Sequence, residues 1–162
     1  MVDVSHLPYR MLCRNHGAQL CFTPMLNSSR FASQPQYRAA NFVVVPEDRP
    51  LIVQFCGDDP QTLLAGLNAL KISFFILHSP FLFLSAARFV ENDCDAVDLN
   101  LGCPQGIARK GHYGAYLLEE VDLVASIVQN LVENLSIPVT VKVSLVGLIA
   151  WLVGWINEFD VI

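Results

Sequence analysis

The segment of residues 95–104 constrains the fold of this chain most. Residues 96–101 form a mostly apolar run that predicts a buried strand, and Gly102, Cys103 and Pro104 end that strand in a tight turn. A basic, glycine-rich loop at 105–115 follows and leads toward a helix. A reactive side chain at the end of a rigid strand is how (β/α) barrels build their active sites. Cys103 is therefore the first candidate for a functional residue.

Strand and helix patterns alternate along most of the sequence. Apolar runs predict strands and amphipathic runs predict helices, whereas residues 26–41, rich in serine, are expected to be irregular. Continuous apolar strands joined by helices indicate a parallel sheet covered by helices, which is an α/β fold. The predicted strands are 19–23, 50–55, 96–101 and 138–143, and the predicted helices are 8–16, 59–70, 86–91 and 117–135.

Length, charge and cysteine usage limit the class of protein. The chain has 162 residues, whereas a complete eight-stranded barrel typically needs about 250. The formal charge of −5 gives no bulk attraction to nucleic acid, so any RNA contact would have to be local. The five cysteines include no CxxC pair and no metal-ligand spacing, so we expect free thiols and no metal site. Free thiols and the lack of a signal-peptide pattern favour an intracellular, cytoplasmic location.

Two hydrophobic segments raise the alternative of a membrane association. Residues 71–85 hold four of the ten phenylalanines, but His78, Ser79 and Pro80 interrupt the run. The apolar run in the tail, residues 145–156, has twelve residues, whereas a spanning helix needs about 20. We therefore expect no membrane span.

Several motifs, taken together, resemble those of the tRNA-dihydrouridine synthases, and most closely the eukaryotic subgroup acting on positions 16 and 17 of tRNA. The most specific are Asn100-Leu-Gly-Cys-Pro104 and Arg109-Lys-Gly-His-Tyr-Gly-Ala115. Met1-Val-Asp, Phe22-Thr-Pro-Met25, Val53-Gln-Phe-Cys-Gly57 and Val141-Lys-Val143 match in the same order. The resemblance implies a partial TIM (β/α)8 barrel with parallel strands, whose late strands are missing. It assigns residues 1–143 to the barrel, with 71–85 as an atypical insert, and leaves 144–162 as an unmatched hydrophobic tail.

The resemblance also implies an activity, the FMN-dependent reduction of uridine to 5,6-dihydrouridine in the D-loop of tRNA, with NAD(P)H as reductant. Reduced FMN would supply hydride, and Cys103 would give the proton as general acid. A thiol with the ordinary pKa of about 8.5 is protonated near neutral pH and can fill that role. The alternative for Cys103 is a buried, unreactive thiol.

Polar exceptions in apolar strands are the candidates for binding the cofactor. Lys142 would stabilise the negative charge of a reduced flavin, unless its stem only carries the ammonium group to water. Gln54 would bind the flavin edge, unless its amide only forms hydrogen bonds with the neighbouring backbone. Met1 and Val2 match the family's first-strand contact to FMN, although the strand before them is absent.

The turn and the loop after it provide the candidates for binding substrate. The resemblance places Asn100 at the strand tip facing substrate or flavin, and Arg109, Lys110 and His112 against tRNA. The alternative for the last three is a solvated basic loop. Because late barrel strands are missing from the match, a second hypothesis is a catalytically inactive barrel fragment that self-associates through open sheet edges.

Overall fold

The computed structural model describes residues 4–57 and 80–144 of the chain. Within these residues, five strands form one parallel sheet in the order β1-β3-β4-β5, and β2 pairs with β3 beyond the end of β1. A parallel α/β sheet was predicted and is confirmed, and it is consistent with part of a (β/α)8 barrel. The strands are β1 (Cys21–Phe22), β2 (Leu26–Asn27), β3 (Leu51–Cys56), β4 (Ala96–Leu101) and β5 (Val139–Val143).

Helices cover one face of this sheet. In the described ranges, the α-helices are α1 (Leu7–Asn15), α2 (Ser28–Ser33), α3 (Pro35–Asn41), α4 (Pro80–Arg88), α5 (Gly106–Lys110) and α6 (Val121–Asn134), and 3-10 helices lie at Pro46–Asp48 and Gly114–Glu119. The helix α4 packs between α2 and α6, and the buried side chains Leu84, Ile127 and Leu131 join the main apolar core there.

The two faces of the sheet differ in chemistry because side chains alternate along each strand. The face toward the helices is apolar: Val53, Phe55, Val97 and Leu99 are fully buried in the core. The opposite face carries the polar positions of the strands. In the strand register, Gln54 of β3 lies opposite Asp98 of β4, and Asp98 lies opposite Thr140 of β5. Asn100 of β4 lies opposite Lys142 of β5. This polar face is the part of the fold that positions a site.

A break separates β1 from β2 at Pro24, which has no backbone N–H to give to a ladder. The backbone N–H of Thr23 donates to the carbonyl of Ile52 (3.0 Å). The Thr23 hydroxyl accepts from the backbone N–H of Gln54 (3.1 Å) and donates to the carbonyl of Pro24 (2.9 Å). Pairing with β3 then resumes at Leu26. The strand predicted over 19–23 is therefore shorter than expected, and it has a second section beyond the proline.

Two other sequence expectations differ from the structure. Residues 26–41 are not irregular, since they contain β2, α2 and α3, and the side chain of Asn27 caps α2 by accepting from Arg30 N–H (2.9 Å). The helix expected at 86–91 spans Pro80–Arg88 instead, so it begins inside the segment that was expected to be an insert. Proline is well suited to a first helical position, since its missing N–H would be unpaired there anyway.

Some expectations lie outside the described residues. They include Met1 and Val2, the helix predicted at 59–70, residues 71–79 of the insert, and the tail from 145 onward. Among the helices in the described part of the chain, none is both long enough and apolar enough to cross a bilayer.

Candidate functional site

A row of polar side chains runs across the carboxyl half of the sheet. Gln54 (2% exposed), Asp98 (2%) and Asn100 (5%) are buried on neighbouring strands of the polar face. Buried polar groups are expensive unless they are hydrogen bonded, so this row requires internal partners. The carboxyl edge of a parallel sheet is also where barrels and open α/β sheets bind ligands.

The row is one connected hydrogen-bond network. Gln54 Nε2 donates to Asp98 Oδ2 (2.8 Å), and Thr140 Oγ1 donates to Asp98 Oδ1 (2.7 Å). Asn100 Nδ2 donates to Gln54 Oε1 (2.9 Å), and Asn100 Oδ1 accepts from the backbone N–H of Gly102 (2.9 Å). Each amide therefore has its oxygen and its nitrogen in defined positions. One N–H of Gln54 lies outside these bonds and is available to a ligand.

The carboxyl of Asp98 is in an unusual environment. Burial raises the pKa of Asp98 above its ordinary value, while the hydrogen bonds from Thr140 and Gln54 and the nearby charge of Lys142 partly oppose the shift. Desolvation favours the neutral form of an acid, and these partners favour the charged form. Gln54 is therefore hydrogen bonded to a buried titratable group.

Lys142 reaches the turn that follows β4. A Cβ atom added at Gly102 would lie 2.9 Å from Lys142 Nζ and 3.1 Å from the backbone nitrogen of Ser144. The glycine thus leaves the space in which the ammonium group approaches the backbone before Cys103. Lys142 and Cys103 lie at adjacent strand ends because β4 and β5 pair in parallel, with Asn100 opposite Lys142.

Cys103 lies on the turn that the network holds. Its side chain is half-buried, and its carbonyl accepts from Ala115 N–H (3.1 Å). Gly114 has φ +71°, and a Cβ there would lie 2.6 Å from the Cys103 carbonyl oxygen, so a side chain at this position would be both strained and blocked. The turn is therefore held from the strand side by Asn100 and from the loop side by Gly114.

Two of the other cysteines are in environments that suppress thiolate formation. Burial, with Cys103 nearby, raises the pKa of Cys56 to about 12. Burial, followed by the charge of Asp95, raises the pKa of Cys94 to about 12. Thiols with such values are unreactive near neutral pH, because the thiolate is the nucleophilic form. Both fit the structural role that is usual for buried cysteines.

The basic residues of the loop are in two kinds of environment: two are exposed to solvent, and one contacts a carboxylate. Arg109 and Lys110 are exposed at the end of α5. His112 has φ +50°, and its ring nitrogen contacts the carboxylate of Glu120. The loop residues expected to bind RNA are thus close together in the chain, with two exposed cations and one histidine held by a carboxylate.

A cavity of about 370 Å³ lies beside the polar network, with Gln54, Lys142 and Phe22 among its lining residues. Ligand sites usually fall between roughly 300 and 1,000 Å³, so a flat ring system is of suitable size. An amide with an available N–H, a cation and an aromatic wall are groups that suit an electron-rich heteroaromatic ring. These three residues fit the ring portion of a flavin, whereas the other lining residues come from α1 and the segments on either side of it, and Cys103 is not among them.

Sequence reasoning missed part of this network. Asp98 was not singled out, although it is a charged residue inside an otherwise apolar strand, the same signal that identified Gln54 and Lys142. Thr23 was noted only as part of a matching motif and Thr140 not at all, because threonine is common in strands and only the register shows what their hydroxyls contact. Within the described residues, no group of three or more His, Cys, Asp and Glu side chains is placed to hold a metal ion.

Comparisons with known proteins place this chain in a family. The sequence model described as Dihydrouridine synthase (Dus) matches residues 1–72 and 66–147. An NAD(P)(+) tRNA-dihydrouridine(16/17) synthase-like protein of Mus musculus is 48% identical over 130 residues, which are 79% of this chain and 23% of the mouse protein. The Saccharomyces cerevisiae tRNA-dihydrouridine(16/17) synthase is 47% identical over 131 residues, 79% of this chain and 26% of the yeast protein.

A relative named for other tRNA positions also matches. A Homo sapiens tRNA-dihydrouridine(20a/20b) synthase-like protein is 33% identical over 129 residues, which are 80% of this chain and 34% of the human protein. The chain spans about a quarter of the length of the mouse and yeast relatives. With a family match over most of its length and the predicted motifs at one edge of a parallel sheet, the chain belongs to the dihydrouridine synthase family.

Proposed function

We propose that this chain carries the reacting part of a tRNA-dihydrouridine synthase site, which reduces uridine to 5,6-dihydrouridine in the D-loop with FMN and NAD(P)H. The observation that supports it most is the position of Cys103. The turn bearing this thiol is tied through Asn100 to Gln54, and it lies beside Lys142. The relatives named above are tRNA-dihydrouridine synthases, which favours tRNA as the substrate.

Cys103 is the proton donor in this proposal. Reduction of the C5–C6 double bond of uracil adds a hydride to one carbon and a proton to the other. FMN, when bound, supplies the hydride. Cys103 Sγ gives the proton from the turn at the sheet edge, as a general acid. Asn100 keeps that turn in place by accepting from Gly102 N–H, so its role includes positioning the thiol.

Gln54 and Lys142 are the residues that would hold the flavin ring. The hydrogen bond from Asn100 to the Gln54 oxygen turns the amide so that its nitrogen faces Asp98, which leaves one N–H for an acceptor on the ring. The ammonium group of Lys142 would lie near the electron-rich edge and stabilise negative charge there. Met1 and Val2 are proposed to add backbone and side-chain contacts to the ring, from the family resemblance alone.

Arg109, Lys110 and His112 are proposed to contact the RNA near the reduced uridine. Exposed cations contribute to RNA affinity mainly through phosphate groups and carry little sequence information. His112 is held by Glu120 and would meet RNA from that fixed orientation. NAD(P)H would reduce the bound FMN between turnovers.

The direct test is dihydrouridine formation on unmodified tRNA by the purified chain with FMN and NADPH. The proposal predicts product with the wild-type chain and loss of it to background in Cys103→Ala. Cys94→Ala, at the opposite end of β4, is the matched control and should retain the wild-type rate if it remains folded. A folded wild-type chain that forms no product would favour the alternative, an inactive part of a barrel.

A further inference from the structure

A second cavity of about 450 Å³ opens at the carboxyl edge of the sheet, on the side of α2 and α5. The residues that matter for its chemistry are Asn27, Arg30, Tyr37, Cys56, Lys110 and Tyr113. Its volume lies within the range of small-ligand sites, roughly 300–1,000 Å³. None of the roles assigned so far uses Arg30, Tyr37 or Tyr113.

The charges of this cavity favour an anion. Arg30 of α2 and Lys110 at the end of α5 both line it, and no carboxylate is among its lining residues. Among the described residues, the ion pairs involve other side chains, and neither Arg30 nor Lys110 has a carboxylate partner. The cavity is thus locally cationic in a chain whose formal charge is −5.

The cavity also offers a flat surface. The guanidinium carbon of Arg30 lies 4.3 Å from the centre of the Tyr37 ring. The Tyr37 hydroxyl accepts from the backbone N–H of Asn27 (3.2 Å), which fixes the ring. A guanidinium plane supported by a fixed aromatic ring is a surface on which nucleic-acid bases stack.

This cavity shares a wall with the turn of Cys103. Tyr113 and Cys56 line the cavity and belong to a small apolar cluster, against which Cys103 and Met25 pack. A ligand in the cavity would therefore lie next to whatever is presented to the thiol.

We propose that this cavity binds the nucleotide adjacent to the reduced uridine in a single-stranded stretch of RNA. The backbone phosphate would lie between Arg30 and Lys110, and the base would stack on the Arg30 plane that Tyr37 supports. The assignment rests on the proposed function for its orientation relative to Cys103. It is favoured over a free anion because the site combines two cations with a stacking surface, the pair of features typical of single-strand binding.

The test is fluorescence anisotropy of a labelled five-nucleotide oligouridylate titrated with the full chain at several salt concentrations. We expect wild-type binding, at least a fivefold loss in Arg30→Ala, and a salt slope smaller by about one in that variant. Arg30→Lys should keep the slope but lose affinity, because the ammonium group binds phosphate but gives no stacking plane. Arg88→Ala removes an exposed arginine on the helix side and should leave binding unchanged.

Three results would overturn the proposal. One is a wild-type chain that is folded by circular dichroism and does not bind the oligonucleotide. Another is equal binding by Arg30→Ala and Arg88→Ala. The third is a wild-type chain that does not bind RNA but does bind NADPH or inorganic phosphate, as detected by calorimetry, with that binding lost in Arg30→Ala. None of these readouts requires flavin or turnover, so RNA binding without dihydrouridine formation would contradict only the proposed function.

Discussion

Asp98 connects Gln54, the candidate cofactor-binding residue on β3, to Thr140 on β5. It accepts from Gln54 on one side and from Thr140 on the other, so both oxygens are used inside the protein. Removing one partner of a buried hydrogen bond leaves the other unsatisfied, at a cost of about 1–3 kcal/mol. The residue thus has a positioning role for Gln54.

The substitution Asp98→Asn should change how stability depends on pH. Burial raises the pKa of Asp98, so the folded protein keeps a proton that the unfolded chain has already lost. The free energy of unfolding of the wild type should therefore fall as pH rises from about 4 toward the raised folded value. An asparagine at this position can keep both hydrogen bonds, because its oxygen can accept from Gln54 and its N–H can donate to the Thr140 hydroxyl. Since asparagine does not titrate, the substitution should remove this dependence of stability on pH.

Urea unfolding of both proteins between pH 4 and pH 7 measures this difference. Asp93→Asn, which neutralises an exposed carboxylate nearby, is the control and should follow the wild type. A constant difference between Asp98→Asn and the wild type across the range would contradict the assignment of Asp98 as a group with a raised pKa.

At the level of elements, a buried ion cluster fastens α1 to the segment before β3. Asp48 is fully buried, and its carboxylate accepts from Arg10 Nη2 (2.6 Å) and Arg14 Nε (3.3 Å). Arg10 is itself only 3% exposed and also donates to the carbonyl of Val43 (2.9 Å). The cluster sets where the N-terminal helix lies relative to the sheet.

We predict that Asp48→Ala lowers the free energy of unfolding by about 3–5 kcal/mol, because it leaves a buried guanidinium without its counter-ion. Glu47→Ala changes the neighbouring, exposed carboxylate and should cost far less. Equilibrium unfolding in urea compares the two. Equal losses in both variants would show that the buried pair does not fasten the helix.

The helices and strands were predictable from the sequence where a single hydrophobic pattern extends over the whole element. The strand at Ala96–Leu101 was predicted with the bounds that the structure has, because apolar side chains fill one face and a Gly-Cys-Pro turn ends it. Residues 26–41 were not, since two short helices with a shared boundary at Gln34 give too little periodicity. Short helices depend on caps and tertiary contacts more than on pattern.

The candidate residues were identified from the sequence in different ways, and their roles remain predictions. Gln54 and Lys142 stood out as polar residues inside apolar strands and Cys103 as a reactive residue after a strand, whereas Asn100 came from the resemblance to the family. The hydrogen bonds among them, and the contribution of Asp98, depend on the register of three strands. That register follows from packing between distant parts of the chain and cannot be read from local sequence.

At the scale of the whole molecule, the sheet ends in exposed apolar side chains. Among the described strands, β5 pairs only with β4, and Val141 (38% exposed) and Val143 (52%) lie on it. An exposed, apolar edge strand is a site for pairing with another chain. The sequence-based expectation of self-association therefore remains a prediction, and this edge is where it should occur.

The double substitution Val141→Lys with Val143→Lys should reduce self-association, because charged side chains on an edge strand oppose pairing. Light scattering after size-exclusion chromatography measures the change in mass. Val132→Lys, on the exposed side of α6, is the control and should behave as the wild type. A wild-type chain that elutes as a monomer at all concentrations would contradict the prediction.

The most direct measurement of the central claim is the visible absorption spectrum of the chain after incubation with FMN and removal of free flavin. We predict a retained flavin band with the wild-type chain and a much weaker band in Lys142→Ala, because the substitution removes the ammonium group that would lie near the ring edge of a bound flavin. Circular dichroism of both proteins establishes that they are folded. A folded wild-type chain without a flavin band would contradict the claim that Gln54, Lys142 and the Cys103 turn form a flavin site in this polypeptide.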